Sequence, residues 1–370
     1  MITADVASAT TTRLEGLPGV EVLMGSVGPL SGQAFRPTDP IDAAQEHALP
    51  TGLRESIVED LDGLEEERPF GRVTAEQPIA AVDAGVVKLG YTADGVIGAV
   101  RAAAVTQRPG GLVDLRVYRP GVFSLNANNR LSLFHAMGTA LGREDFYVEV
   151  KRDAPVREKV KVGPHDHRLL DRARNYVERL VQRRELERMD GGTLAIDGAL
   201  TMRTFDTPGI FMRRLHGVGQ EREVNLVAVA KKTGLSIRGV DIRLLLDREG
   251  GVPGKRKLTP ALRRHNGSDG AERFLGDLYV ARFTPAGETY RVDVDPSPGA
   301  TSAAGLDEFV AGCLFRNGYP EPLLLAHAFS YMAPPLVAEL QAYAVAKYQL
   351  VMRPEPNLAP VFAPFGGMYR

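Results

Sequence analysis

Two aspartates stand where a charge is expensive. Asp83 lies midway along Ile79–Val87, a run otherwise built of apolar residues and glycine, and Asp197 closes a second such run, Thr193–Gly198. A carboxylate inside a buried strand is costly unless it is paired or holds a metal. If the two strands are neighbours, one shared cation offsets both costs. A third acid, Glu178, falls at the border of a helical apolar stripe, roughly a quarter turn from its centre at about 3.6 residues per turn. Glu185, about two turns further on, has a similar border position and competes for the same role. The plainer reading of either glutamate is an ion pair with Arg174 or Arg188. Carboxylates grouped this way suit a hard cation, Mn²⁺ or Mg²⁺. Two such ions about 3.5–4 Å apart activate a water and stabilise the leaving oxygen of a phosphodiester. Lys231, which follows the apolar run Val224–Ala230, is placed to stabilise charge on a transferring phosphate, against the plainer reading of a solvated lysine ending a strand. His327 follows Leu323–Ala326 and is either a satisfied core histidine or a last ligand or general base.

The elements that must position these groups are readable from period and punctuation. Ile79–Val87, Val96–Val105 and Leu112–Tyr118 read as three strands joined by short turns at Asp94-Gly95 and Pro109-Gly110-Gly111. From Leu169 to Met189 apolar residues recur at helical spacing, and Asp190-Gly191-Gly192 ends the helix. Strands at Thr193–Gly198 and Val224–Ala230 follow, then helices at Leu306–Phe315 and Glu321–Tyr331 split by Asn317-Gly318-Tyr319-Pro320. Three antiparallel strands, a helix, further parallel strands and closing helices on both faces make a ribonuclease H-like α/β core, in which the strands of Asp83 and Asp197 lie side by side. Residues 1–74 read as an N-terminal extension with one acidic helical stretch, Leu53–Glu67. Residues 75–345 form the main domain, with insertions, and 346–370 a tail rich in Pro and Gly.

Composition narrows the class without naming it. The chain has 370 residues, 44% hydrophobic and 25% charged, with a net charge of −1, which is ordinary for a globular protein. No run approaches the ~18–20 apolar residues of a membrane span, and no secretory signal is visible at the start. The single cysteine, Cys313, sits in an apolar stretch. It reads as a buried thiol and suits a reducing cytoplasm. Charge is unevenly spread: Lys151–Arg188 holds 12 Lys or Arg against 7 Asp or Glu. A second basic cluster, Lys255-Arg256-Lys257 with Arg263-Arg264, follows a glycine-rich turn. Taken alone, each patch reads as a solvated face. His165-Asp166-His167 has metal-like spacing but the setting of a surface turn, and Gly250-Gly251 and Gly366-Gly367 lack a phosphate-loop context.

Four short motifs carry a resemblance. Ala81-Val82-Asp83-Ala84-Gly85, Ala195-Ile196-Asp197-Gly198-Ala199-Leu200, Val227-Ala228-Val229-Ala230-Lys231-Lys232-Thr233, and Gly318-Tyr319-Pro320-Glu321-Pro322-Leu323 followed by Ala326-His327 resemble, in order, the motifs of the NurA nucleases. Ala84 stands where that family has its first glycine. The resemblance implies a metal site of Asp83, Glu178, Asp197 and His327, with Lys231 and Tyr319 beside it. It further implies a Mn²⁺-dependent deoxyribonuclease (Mg²⁺ being the alternative ion) that cuts single-stranded DNA and resects duplex ends, 5′ to 3′. Such a protein works as a homodimer with a HerA-type hexameric ATPase in double-strand break repair and homologous recombination. In that setting Arg179, Arg183 and Arg184 on the long helix, and Lys255, Arg256 and Lys257, become candidate DNA contacts. Two other readings compete: a catalytically inactive DNA-binding or ATPase-docking scaffold, and an actin-like-fold phosphotransferase. The latter needs a second phosphate loop and an adenosine motif, neither of which the sequence offers.

Overall fold

The computed structural model describes residues 5–44, 57–58, 66–74, 76–126, 128–141, 167–200, 209–233, 235–237, 240–245, 252–259 and 275–353. Its strands are β1 (Asp5–Thr12), β2 (Ala34–Pro37), β3 (Ile79–Tyr91), β4 (Gly95–Gln107), β5 (Leu112–Tyr118), β6 (Gly121–Asn126), β7 (Gly192–Asp197), β8 (Val224–Ala230), β9 (Gly254–Lys257), β10 (Asp277–Arg282) and β11 (Thr289–Asp295). Its helices are α1 (Val20–Gly25), α2 (Arg130–Ala140), α3 (His167–Leu186), α4 (Gly209–Glu221), α5 (Ser302–Gly312), α6 (Glu321–Ser330) and α7 (Pro334–Tyr348).

One sheet runs in the order β1-β5-β4-β3-β7-β8-β11-β10-β9. The stretch β5-β4-β3 is an antiparallel meander, and β7 and β8 then add in parallel to β3. That arrangement is the ribonuclease H-like core expected from element order. The strands read as continuous apolar runs because both faces are covered. Ala80, Val82, Ala84, Ile196 and Ala228 face a core shared with Tyr176, Val177 and Leu180 of α3 and Phe211 and Leu215 of α4. The alternate residues Ile79, Ala81, Ala195, Val227 and Val229 face a second core with Leu306 and Phe309 of α5 and Leu323 and Ala326 of α6.

Several boundaries differ from expectation. The stretch read as an N-terminal extension adds to this core: β1 pairs in parallel with β5, β2 pairs with β3, and Leu14, Leu17, Val20 and Leu23 are fully buried. Within Leu53–Glu67, expected as a helix, Ile57–Val58 instead form a short strand against Ser236–Ile237. The rest of that stretch, up to residue 65, lies outside the described residues. The helix expected at Leu306–Phe315 is α5: it starts at Ser302, because the Thr301 side chain accepts from the Ala304 amide as an N-cap, and ends where Cys313 turns extended. Phe315–Arg316 and Tyr319–Pro320 form a small hairpin. Beyond α7, Val351–Met352 pair with Ala34–Phe35. His165, Asp166, Gly250, Gly251, Arg263, Arg264, Gly366 and Gly367 lie outside the described residues, as does the basic stretch before His167.

Candidate active site

The register brings the two aspartates together. β3 and β7 run in parallel with Val82 opposite Ile196, so Asp83 and Asp197 come next, at the point where the two strands part. Gly198 takes the chain away with a φ of +117°, a backbone that side-chain-bearing residues rarely adopt. The cleft thus opens at the carboxyl end of β7, between the helix layers on the two faces.

From one layer, α6 holds Asp83. His327 Nδ1 lies 2.9 Å from Asp83 Oδ2, and the Ser330 hydroxyl donates to the same oxygen at 2.8 Å. Both partners sit on Oδ2, so Oδ1 remains for another ligand. Burial acts to raise the Asp83 carboxyl. The hydrogen bonds from His327 and Ser330, with the charges of His327 and Arg174, outweigh it and hold the group below its ordinary value. The backbone permits this approach because residue 85 is glycine: a Cβ there would stand 2.6 Å from the Ser330 carbonyl oxygen.

From the other layer, α3 supplies Glu178, which is 6% exposed. Burial is the main reason its pKa is pushed up to about 7. The charges of Asp83 and Asp197 push the same way, against Arg179 and Arg174. Three carboxylates therefore feel one another here, and the buried one takes up the strain as proton affinity. Gln182 donates to Glu178 Oε1 at 3.1 Å and in turn accepts from Arg179 at 2.7 Å. Glu185, the rival on the same helix, goes elsewhere. It is held by Arg116, by Arg188 at 2.7 Å and by the Tyr118 hydroxyl at 3.0 Å.

Lys231 and Tyr319 close the site around Asp197. Lys231 Nζ donates to Asp197 Oδ2 at 2.9 Å and lies 4.7 Å from the centre of the Tyr319 ring. Among the described residues the buried Tyr319 hydroxyl makes no hydrogen bond of good geometry, Asp197 being its nearest acceptor. Burial and the neighbouring Asp197 charge raise its pKa. All six residues that the sequence nominates as catalytic therefore fall in one region. As they stand, no three acid, histidine or cysteine side chains among the described residues close on a common point that would hold an ion. What the region offers a hard cation is oxygen donors and a local excess of buried negative charge at Glu178.

The nominated DNA contacts are more scattered. Arg179 is folded against Gln182 and Glu178, Arg183 is paired with Glu187 at 2.7 Å, and Arg184 reaches the Gly16 carbonyl. Lys255 and Lys257, on the far edge strand β9 with Arg256 between them, pair with Asp307 and Asp277, each at 2.7 Å. A pocket of about 110 Å³ there is lined by Arg68, Lys255, Lys257 and Glu66, its two lysines already paired with acids. Two residues at the site escape the sequence reading. Ser330 stands three places after His327, one helical turn. Arg101 is the sole charge in the 13-residue strand β4, and that isolation is the signal that could have found it.

Neither a family model nor a curated protein matches the sequence. Among solved structures the chain is similar to the NurA nuclease from Sulfolobus solfataricus, at 12% identity over 76% of this chain and 88% of that one, with a TM-score of 0.43. It is also similar to a second NurA structure, at 12% identity over 85% and 94% of the two chains, with a TM-score of 0.36. For human endonuclease V the identity is 17% over 73% and 86%, with a TM-score of 0.31.

Proposed function

We propose that this chain is a metal-dependent deoxyribonuclease. The reading rests on one observation: Asp83 and Asp197 stand side by side where two parallel strands part, and the buried Glu178 beside them is raised to about 7. Two buried acids, Asp83 and Glu178, beside the half-buried Asp197 serve no packing purpose, and a hard divalent cation is the natural counterweight. Asp83 Oδ1, Glu178 and Asp197 would hold Mn²⁺ or Mg²⁺, which supplies a polarised water and neutralises charge at a phosphodiester. His327 fixes the Asp83 carboxylate through Nδ1, and its imidazole is 40% exposed on the cleft side. Lys231 neutralises Asp197, and an arriving phosphate would draw the ammonium across. Tyr319 excludes water beneath it and supports the lysine through its ring face.

The motif resemblance extends this reading to single-stranded DNA and duplex ends as substrates. It also extends it to a homodimer as the working form and a HerA-type hexameric ATPase as the partner that feeds the DNA. The direct test is incubation of end-labelled single-stranded and blunt duplex DNA with Mn²⁺, with Mg²⁺ and with EDTA. Cleavage that needs a divalent cation and vanishes in both Asp83→Ala and Asp197→Ala is the expected result. Intact DNA under every condition, with a HerA-type ATPase and ATP included, would favour a DNA-binding scaffold in which Lys231 permanently occupies Asp197.

A further inference from the structure

Arg101 is an unexplained cation. It is the one charged residue of strand β4, and burial depresses its pKa with no carboxylate among the described residues acting to restore it. Its Nη1 donates to the Tyr331 carbonyl at 3.2 Å, just past the end of α6. Its Nε is buried and has no partner among the described residues. A guanidinium half-buried with no acid paired to it among the described residues costs stability, and the packing around it offers no return for that cost.

Its position supplies one. In the β3–β4 pairing Ala103 stands opposite Asp83 and Arg101 opposite Gly85. Residues two apart on a strand project from the same face, so Arg101 lies on the Asp83 face, diagonally across the ladder. Such diagonal neighbours are about 7–8 Å apart. Because Gly85 has no side chain, nothing at that position stands between the guanidinium and Asp83.

We propose that Arg101 contacts the substrate, its guanidinium binding the non-bridging oxygens of the backbone phosphate next to the one held at Asp83 and Asp197. The planar fork matches a phosphate's paired oxygens, and the charge that the fold leaves uncompensated is met by the DNA backbone. The inference rests on the nuclease reading and adds a residue to it that no motif includes.

The test compares Arg101→Gln and Arg101→Lys with the wild type for binding of a single-stranded oligonucleotide, in EDTA so that nothing is cut, across a range of salt concentrations. Glutamine can still donate to the Tyr331 carbonyl but carries no charge. Loss of one charged phosphate contact weakens binding about tenfold or more and reduces the slope of log affinity against log salt by about 0.7. Lysine restores the slope while recovering only part of the affinity. Should Arg101→Gln melt at a lower temperature yet keep wild-type affinity and slope, the arginine is a structural cap and the inference is overturned. A wild type that neither binds nor cuts DNA removes the nuclease reading itself, a different failure from an unchanged Arg101 variant.

Discussion

Glu178 and Glu185 are the same residue type seven positions apart on one helix, at matching edges of one apolar stripe, and they end in opposite chemistry. Glu185 is enclosed by Arg116, Arg188 and Tyr118, while Glu178 meets two other acids and rises to about 7. From the sequence both were readable as cleft candidates. The difference lies in what the sheet presents opposite each, Arg116 and Tyr118 from β5 in one case and Asp83 and Asp197 from β3 and β7 in the other, and helix periodicity carries no such information. The contrast is measurable. Glu178's folded value lies above its ordinary 4.5, so the folded state binds the proton more tightly. Its contribution to stability is complete below the ordinary value and is lost as pH rises through about 7. Protein stripped of divalent cations should therefore melt at falling temperature between about pH 5 and 8, and Glu178→Gln should flatten that fall. Added Mn²⁺ should raise the wild-type melting temperature at pH 8 more than that of the variant. A Glu178→Gln profile that overlays the wild type would place the titration elsewhere. Glu185→Gln, by contrast, should lower stability at all these pH values and spare metal binding.

At the scale of elements, the site depends on how closely α6 lies on β3. Gly85→Ala would push a methyl group to 2.6 Å from the Ser330 carbonyl. It should cost about 1–3 kcal/mol, seen as a lower melting temperature, and displace Ser330 and His327 together. If Gly85→Ala melts and cuts DNA like the wild type, the close approach is not needed. Ser330→Ala leaves the packing intact but frees Asp83 from one of its two donors. A drop of about 10–100-fold in metal affinity or activity is expected, with little change in melting. Ala84, next to Asp83 in sequence, faces the other core and is 1% exposed. Elements that rest on long apolar runs, β3, β4, β7, β8, α3 and α6, were legible in the sequence because burial on both faces writes itself as unbroken hydrophobicity. The β10–β11 hairpin was not. Thr289–Asp295 alternates Tyr290, Val292 and Val294 with Arg291, Asp293 and Asp295, which reads as a half-exposed strand. In the fold both faces are covered, and Arg291 and Asp293 satisfy each other through two 2.9 Å contacts at 1% exposure. Arg101 was missed because the run Val96–Val105 was read for its period alone and none of the four motifs includes it.

Taken whole, the fold is closed by pairings between segments far apart in sequence. β1 lies against β5 at one margin of the sheet, and Val351–Met352 lie against Ala34–Phe35, which borders β3. Parallel strands need a long connection, and a propensity reading sees only neighbours in sequence, so neither closure was visible beforehand. Ser8 and Asp114, hydrogen-bonded across the β1–β5 pair, are separated by 106 residues. That separation matters in time as well as in space. At the ribosome β1 is made before β5, and at about 5–20 residues per second its partner strand among the described residues follows roughly 5–20 seconds later. Throughout that interval a nascent, threonine-rich segment with unpaired backbone amides is exposed to whatever else is being synthesised nearby. Pulse-labelling during refolding should find the amides of residues 5–12 protected after those of β3 and β4, and the order in which the molecule is made is then not the order in which it becomes whole.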